Sequence, residues 1–437
     1  MPTLTFPLSR IEGHAQVVIE VQRGEIISAR FKAMEFRGFE HFVRGVPAEQ
    51  MPVIAPRICG VCSTAHHLAA VEALEDAYDV TPPPLALKLR ELLMLGQMVQ
   101  NHATSVFIFT MPDRLGVSSI FDEAAEEHPV EAMEGIASRA LQVRKAGTDL
   151  ITLAGGQFIH PVKAVVGGMT GGVGPEAASI VRTQVAHALP VARDLLWYYL
   201  DRTVELKDRT GTWGDDAPTY YIAAVAAECP NYDYDLIRVM GPDGEMCDEF
   251  AARDFREHLT CTDVDYSYAE QTSYRGEVMR ANSLARINMA KRMGTPEADD
   301  YLRQFRDAFG HPAHAILLFD LARGLELIHA LERAMQILSE PLDNEDTDIP
   351  YAPRDGEGYG LVEAPRGPLI HHYTIENGVI AAADFVIPTV HNSMAIERAL
   401  RTAAERYIST ERVDMELERA VGRVVRAFDP CMACATH

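Results

Sequence analysis

Near the start of the chain, apolar and polar positions alternate with period two. Ala15, Val17, Ile19 and Val21 fall on one face and Gln16, Val18 and Glu20 on the other, until Arg23-Gly24-Glu25 interrupts them. Ile26 to Phe31 then runs back, so residues 3–33 read as a β-hairpin. A second hairpin is predicted from strands over about 369–375 and 379–387, joined by Asn377-Gly378. That dipeptide suits a type I′ turn, in which both central residues take φ > 0. Between the hairpins the period becomes helical. Leu68, Val71, Leu74 and Tyr78 share one face of a helix over Ser63–Tyr78, with Ser63 or Thr64 as N-cap. Pro82-Pro83-Pro84 closes that region and opens a helix over about 85–109, apolar around much of its circumference and so expected to be buried. Further helices are predicted over about 130–154, 175–209 (kinked at Pro190), 299–338 and 393–427.

Other stretches read as irregular. Gly167 to Gly174 is glycine-rich and leads into a helix, but it lacks both a Gly-Lys-Ser/Thr ending and the G-x-G-x-x-G order. A tight backbone crossing is therefore favoured over a phosphate loop. Residues 340–358 are acidic and rich in Pro and Gly, an exposed connection. Residues 210–275 suggest short aromatic strands and carry Cys229, Cys247 and Cys261 at no ligand-like spacing, which points to packing roles. The expected fold class is mixed α+β, mainly α, as a single domain over 1–437. Its parts are a β-hairpin region (1–50), a helical core (51–210), an irregular α/β insertion (211–290), a helical stretch (291–340), a loop and hairpin (341–390) and a C-terminal helix (391–437).

Composition narrows the function. The 437 residues are 47% apolar and 24% charged, an ordinary globular balance, with a formal net charge of −23. Such acidity argues against nucleic acid or an anionic membrane as partner. No run of about 18 apolar residues suggests a transmembrane helix. The start, Met1-Pro2-Thr3-Leu4-Thr5-Phe6-Pro7, lacks a secretory pattern, and seven cysteines, an odd count, fit a reducing compartment. A cytoplasmic location is expected.

Four of those cysteines form two Cys-x-x-Cys pairs, Cys59-Gly60-Val61-Cys62 and Cys431-Met432-Ala433-Cys434, separated by 369 positions. Two intervening residues let both sulfurs of a pair reach one metal, and four thiolates make a soft donor set. A zinc ribbon would place its pairs about 15–20 residues apart, and a thioredoxin-like dithiol would need only one pair. A metal shared between the two ends of the chain, zinc or an iron–sulfur cluster included, is the better reading.

The flanks carry more. Arg57 precedes the first pair and His66 follows it by four residues; Asp429-Pro430 precedes the second and Ala435-Thr436-His437 follows it. With Arg10-Ile11-Glu12-Gly13-His14, these segments resemble the signature motifs of the nickel–iron hydrogenase large subunit, from about residue 8 to the last. The resemblance implies a central bundle of long helices with peripheral β-hairpins. It implies that Cys59, Cys62, Cys431 and Cys434 ligate nickel, with Cys62 and Cys434 bridging to an iron that carries two cyanides and one carbon monoxide. Cys431 is then the candidate proton acceptor and Arg366 the competitor. Arg366, in Glu363-Ala364-Pro365-Arg366-Gly367, would lie with Pro365 over the open side of the metals, and Pro388 and Thr389 would face a cyanide. Asp429 would orient Arg366. The family's other carboxylate over the metals falls on Asn101, which leaves Arg366 with one acidic neighbour. Glu12 resembles the start of a proton relay, and His66 a donor to a bridging sulfur. Glu40 and His437, with the Phe385 carbonyl, look like ligands of a separate Mg²⁺ site.

The same resemblance implies partners. With four cysteines committed to nickel and iron, nothing in this chain can hold clusters for electron exit. A small subunit with iron–sulfur clusters is therefore expected, together with further electron-transfer subunits (diaphorase, ferredoxin-like or disulfide reductase), some with flavin. The compact length and the Ala-Thr-His ending look like the cytoplasmic multi-subunit enzymes that serve NAD(P), ferredoxin, F420 or a disulfide reductase. Nickel-insertion proteins and a maturation endopeptidase that trims a tail after His437 are also expected. The alternatives are a structural subunit like the family's complex I relative, which lacks the cysteine pairs, and a zinc-stabilised binding protein.

Overall fold

The computed structural model describes residues 3–121, 135–226, 228–230, 235–407 and 415–437. The N-terminal hairpin forms from Ala15–Gln22 and Glu25–Ala33, and Thr3–Pro7 adds a third, antiparallel strand beside the first of these. Val17, Ile19 and Val21 point inward and are fully buried, as the alternation requires. At the other end the order is Gly356–Ala364, Gly367–Glu376, Val379–Val386, with Asn377 and Gly378 both at positive φ in the turn. The stretch 340–358, read as exposed connection throughout, thus enters a strand at Gly356.

Long helices fill the middle: Ser63–Tyr78, Pro84–Ala103, Ile136–Gly155, Pro175–Thr210 and Leu318–Ile337. Ser63–Tyr78 has the predicted bounds, but neither predicted cap acts. Cys62 occupies the N-cap position, and the Ser63 hydroxyl accepts instead from the His160 N–H at 3.2 Å. The helix expected over 85–109 is α-helical to Ala103 and continues as a π-helical turn, Thr104–Thr110, into the short helix Met111–Leu115. Residues 130–134 lie outside the described residues, and the next helix begins at Ile136. Pro175–Thr210 runs on through Pro190. The stretch 299–338 is two helices, Pro296–Phe309 and Leu318–Ile337. Gly310 at φ 79° turns the chain out of the first, and Pro312, which has no N–H, cannot continue it. Ser393–Tyr407 and Met415–Phe428 are likewise separate, and 408–414 lie outside the described residues. No helix among those described is long and apolar enough to cross a membrane.

The glycine-rich loop is a backbone crossing. A Cβ on Gly168 would overlap the Thr347 carbonyl oxygen. The Met169 N–H donates to that oxygen at 2.7 Å and the Ile349 N–H to the Gly167 carbonyl at 3.0 Å. The insertion is more regular than expected: Tyr220–Ala223, Leu236–Met240, Met246–Ala251 and Met279–Arg280 form one four-stranded sheet. Its cysteines do not pack as predicted. Cys247 and Cys261 are exposed and Cys229 is half-buried, because Met246–Ala251 and Leu259–Thr262 turn those positions outward.

One contact fixes the geometry of the cysteine region. Strand Gly356–Ala364 lies directly on helix Ser63–Tyr78, so closely that a Cβ on Gly360 would overlap the Ala69 carbonyl oxygen. This strand ends at Pro365-Arg366, while the helix begins at the first cysteine pair. Gly360→Ala is expected to lower stability by about 3 kcal/mol, since backbone, not a flexible side chain, must move. Thermal unfolding checks this; an unchanged midpoint would show that the strand can lift off the helix freely.

Candidate metal centre

Each cysteine pair is set by a local turn. The short 3₁₀ helix Ala55–Ile58 ends at Cys59 in extended conformation, and the chain turns so that the Cys62 N–H donates to the Cys59 sulfur at 3.4 Å. At the far end, Met415–Phe428 stops at Asp429, whose φ of 50° redirects the chain toward Cys431. Glu12 lies alongside: the Met432 N–H donates to its carbonyl at 3.1 Å and the Ala433 N–H to its Oε2 at 2.9 Å. The N-terminal segment therefore holds the C-terminal pair in place.

The pairs meet. Cys59 and Cys431 sulfurs are 3.3 Å apart, Cys62 and Cys431 3.7 Å, and Cys431 and Cys434 2.9 Å. All four sulfurs lie within 4.8 Å of one another, all are buried and none is in a disulfide. Among the described residues this is the group of three or more His, Cys, Asp and Glu side chains able to share an ion. The separations exceed the roughly 2.05 Å of a disulfide bond. Burial pushes the Cys431 and Cys434 thiols well up, whereas hydrogen bonds from Cys431, Cys434 and Cys59, with the Arg366 charge, hold Cys62 well below the ordinary thiol range. Four thiolates cannot crowd together without a cation to neutralise them. The donor set fits a soft, thiophilic metal.

The surroundings of the four sulfurs differ. The Cys62 sulfur accepts from Arg366 Nη1 at 3.1 Å, and Cys434 lies 3.3 Å from His66 Nε2. Cys59 takes the Cys62 N–H. Cys431 instead points its S–H at Glu12 Oε2, 3.1 Å away. Glu12 is half-buried, with one side toward solvent.

Arg366 is 3% exposed. Burial works against its charge, but Asp429 and the sulfurs of Cys62, Cys431 and Cys59 outweigh it and keep the guanidinium protonated. Its Nη2 donates to Asp429 Oδ1 at 3.1 Å and its Nε to the Asp429 carbonyl. Asn101 Nδ2 donates to the other Asp429 oxygen at 3.0 Å. The Asn101 amide thus supports Asp429 where a second carboxylate would repel it. The Thr389 hydroxyl accepts the Cys431 N–H at 3.0 Å. Pro365, Arg366, Pro388 and Thr389 line one small cavity with Cys62, Cys431 and Cys434.

At the second expected ion site Glu40, His437 and Phe385 come together. His437 Nε2 lies 3.3 Å from Glu40 Oε1, and His437 Nδ1 2.9 Å from the Cys434 carbonyl. Beside them, the Phe385 N–H donates to Glu40 Oε1 at 3.3 Å.

Sequence reasoning missed several supporting residues. Arg37 donates to the carbonyls of Ile58 and Ala433, bracing both cysteine pairs at once. Arg286, fully buried, donates to the Pro365 carbonyl at 2.9 Å and to Glu326 and Glu363 at 2.5 and 2.6 Å, so it fixes the turn that carries Arg366. His371 and Tyr373 extend inward from His66. Only Arg37 carried a signal, its place three residues before Glu40.

The protein compares closely with known ones. A family profile described as Nickel-dependent hydrogenase matches residues 37–128 and 231–437, and one described as HoxL-like matches 6–36. The vhu-type F420-non-reducing hydrogenase of Methanocaldococcus jannaschii contains a polypeptide that is 33% identical, with 91% of this chain and 97% of that one covered. The NAD-reducing hydrogenase HoxS subunit beta of Cupriavidus necator is 30% identical over 99% of this chain and 93% of its own. A crystal structure of an NAD⁺-reducing [NiFe]-hydrogenase in the H2-reduced state superposes with a TM-score of 0.89 at 29% identity, covering 100% of both chains. With its four clustered cysteines, this chain belongs to the nickel-dependent hydrogenase family, as a catalytic large subunit.

Proposed function

We propose that the four cysteines hold nickel, that Cys62 and Cys434 share their sulfurs with an iron bearing two cyanides and one carbon monoxide, and that H2 is oxidised there reversibly. When bound, the metal pair supplies a soft Lewis acid that polarises H2. The chain's own groups handle the proton. Cys431 is the base because its sulfur, alone of the four among the described residues, faces a carboxylate, and this contact carries the reading. The proton passes from Sγ to Glu12 Oε2 and outward from the half-buried carboxyl. Arg366, kept charged by Asp429, supplies a fixed positive charge over the cavity and positions Cys62. Pro365, Pro388 and Thr389 enclose the same side, where they would contact the diatomic ligands. His66 donates toward Cys434. Glu40 and His437, with the Phe385 carbonyl, are proposed as Mg²⁺ ligands that hold the segment after Cys434.

Electrons leave through a small subunit with iron–sulfur clusters, and onward to a soluble acceptor in the cytoplasm. Relatives carry the names NAD-reducing and F420-non-reducing, so partner subunits set the acceptor, whether NAD(P), ferredoxin, F420 or a disulfide reductase.

Metal analysis tests the centre. One nickel and one iron per chain are expected, and zinc alone would sink the reading. Glu12→Gln tests the relay. It is expected to keep both metals, because Gln still accepts the Ala433 N–H, yet to cut hydrogen–deuterium exchange by about 100-fold or more, within the range general acid–base groups supply. Full exchange activity would remove Glu12 from the path.

A further inference from the structure

Behind the Cys434 sulfur runs a line of buried polar groups that the proton path through Glu12 does not use. His66 Nε2 lies 3.3 Å from Cys434 Sγ, and His66 Nδ1 lies 3.0 Å from His371 Nε2. His371 Nδ1 lies 2.7 Å from the Tyr373 hydroxyl. All three residues are at most 1% exposed. His371 and Tyr373 sit two apart on strand Gly367–Glu376, so both face the same side, toward helix Ser63–Tyr78, which carries His66.

Hydrogen bonds in a chain of neutral imidazoles must all run one way, since each ring has one N–H and one bare nitrogen. Two directions are open. In one, His66 would accept a proton from the Cys434 S–H, His371 would accept from His66 Nδ1–H, and Tyr373 would accept from His371 Nδ1–H. The tyrosine O–H would then need its own acceptor, and among the described residues its hydroxyl touches no polar group but His371. A fully buried donor without a partner is costly. In the other direction every group is satisfied. Tyr373 O–H donates to His371 Nδ1, His371 Nε2–H donates to His66 Nδ1, and His66 Nε2–H donates to the Cys434 sulfur.

We infer that Tyr373 is a positioning residue that sets the direction of this chain and so obliges the Cys434 sulfur to receive an N–H. The inference rests on the proposed metal-bridging role of Cys434. A sulfur that accepts a hydrogen bond donates less charge to whatever metal it binds. The tyrosine therefore acts on the metals through two histidines without touching them.

Tyr373→Phe keeps the ring and deletes only the donor. Infrared spectroscopy of the metal-loaded enzyme reads the result without reference to turnover. In the wild type, one set of cyanide and carbon monoxide bands is expected. In Tyr373→Phe the bands are expected to shift and to split into two sets as both chain directions become populated, with nickel and iron contents unchanged. Tyr359→Phe, a hydroxyl loss on the neighbouring strand, should leave the bands in place. Absence of the bands in the wild type would overturn the proposed centre itself. Their presence, with Tyr373→Phe identical to wild type, would overturn only the role of Tyr373. Should the variant fail to load metal, nitrogen NMR of the wild type with ¹⁵N-labelled histidine decides instead: both His66 and His371 are expected as neutral Nε2–H tautomers, and a proton on Nδ1 of either ring overturns the inference.

Discussion

Cys431→Ser is expected to abolish H2 turnover, by at least about 1,000-fold or ~4 kcal/mol of activation free energy, and to lower nickel content. Four contacts converge on this one sulfur: Cys434 at 2.9 Å, Glu12 Oε2 at 3.1 Å, Cys59 at 3.3 Å and Cys62 at 3.7 Å. A serine oxygen is smaller and harder, and it stays protonated where a thiol ionises, so it ligates a soft metal poorly. It also breaks the proposed transfer to Glu12, since a serine hydroxyl is far too weak an acid to release its proton to a carboxylate. Metal analysis beside an H2-oxidation assay separates the two losses. A variant with one nickel per chain and full activity would place the base elsewhere.

Arg366→Lys should keep the metals and slow H2 activation about 100-fold or more, the scale on which preorganised charges act in enzymes. The charge is conserved; the geometry is not. The guanidinium serves the Asp429 carbonyl, Asp429 Oδ1 and the Cys62 sulfur from three separate nitrogens held in one plane. A lysine ammonium is a compact point charge that cannot span those three acceptors, so at least one buried acceptor loses its donor. Turnover equal to wild type, with the metals in place, would confine Arg366 to a structural role.

What the sequence disclosed divides by range. Both Cys-x-x-Cys pairs, the bounds of Ser63–Tyr78 and the Asn377-Gly378 turn are encoded within a few residues and were legible. That Cys59 and Cys431 would meet was first suggested by the doubled Cys-x-x-Cys spacing, which favours a shared metal, and then strengthened by resemblance of the flanking motifs. The strand Gly356–Ala364 was partly hidden, because its alternate glycines, Gly356, Gly358 and Gly360, imitate a loop. Two of them are small because a helix that begins some 300 positions earlier lies against them, and no local pattern records that. His371 and Tyr373 lay within a predicted strand, but no local pattern marked them for the site. Their polar function appears once His66 is seen beside them. Cys247 and Cys261 failed in the opposite way: cysteine is usually buried, but an edge strand can face either side.

The joining of Cys59 and Cys62 to Cys431 and Cys434 also bears on biogenesis. A growing chain exposes the first pair about 370 residues of translation before the second leaves the ribosome. Nickel captured by half the ligands would have no finished cage, so faithful loading belongs to chains that already carry both pairs. Once seated, the ion closes a ring of about 370 residues, and chain-entropy scaling of the kind used for cross-links puts the restriction on the denatured ensemble at ~6 kcal/mol. The centre that splits hydrogen would thereby also serve as the clasp of the whole subunit.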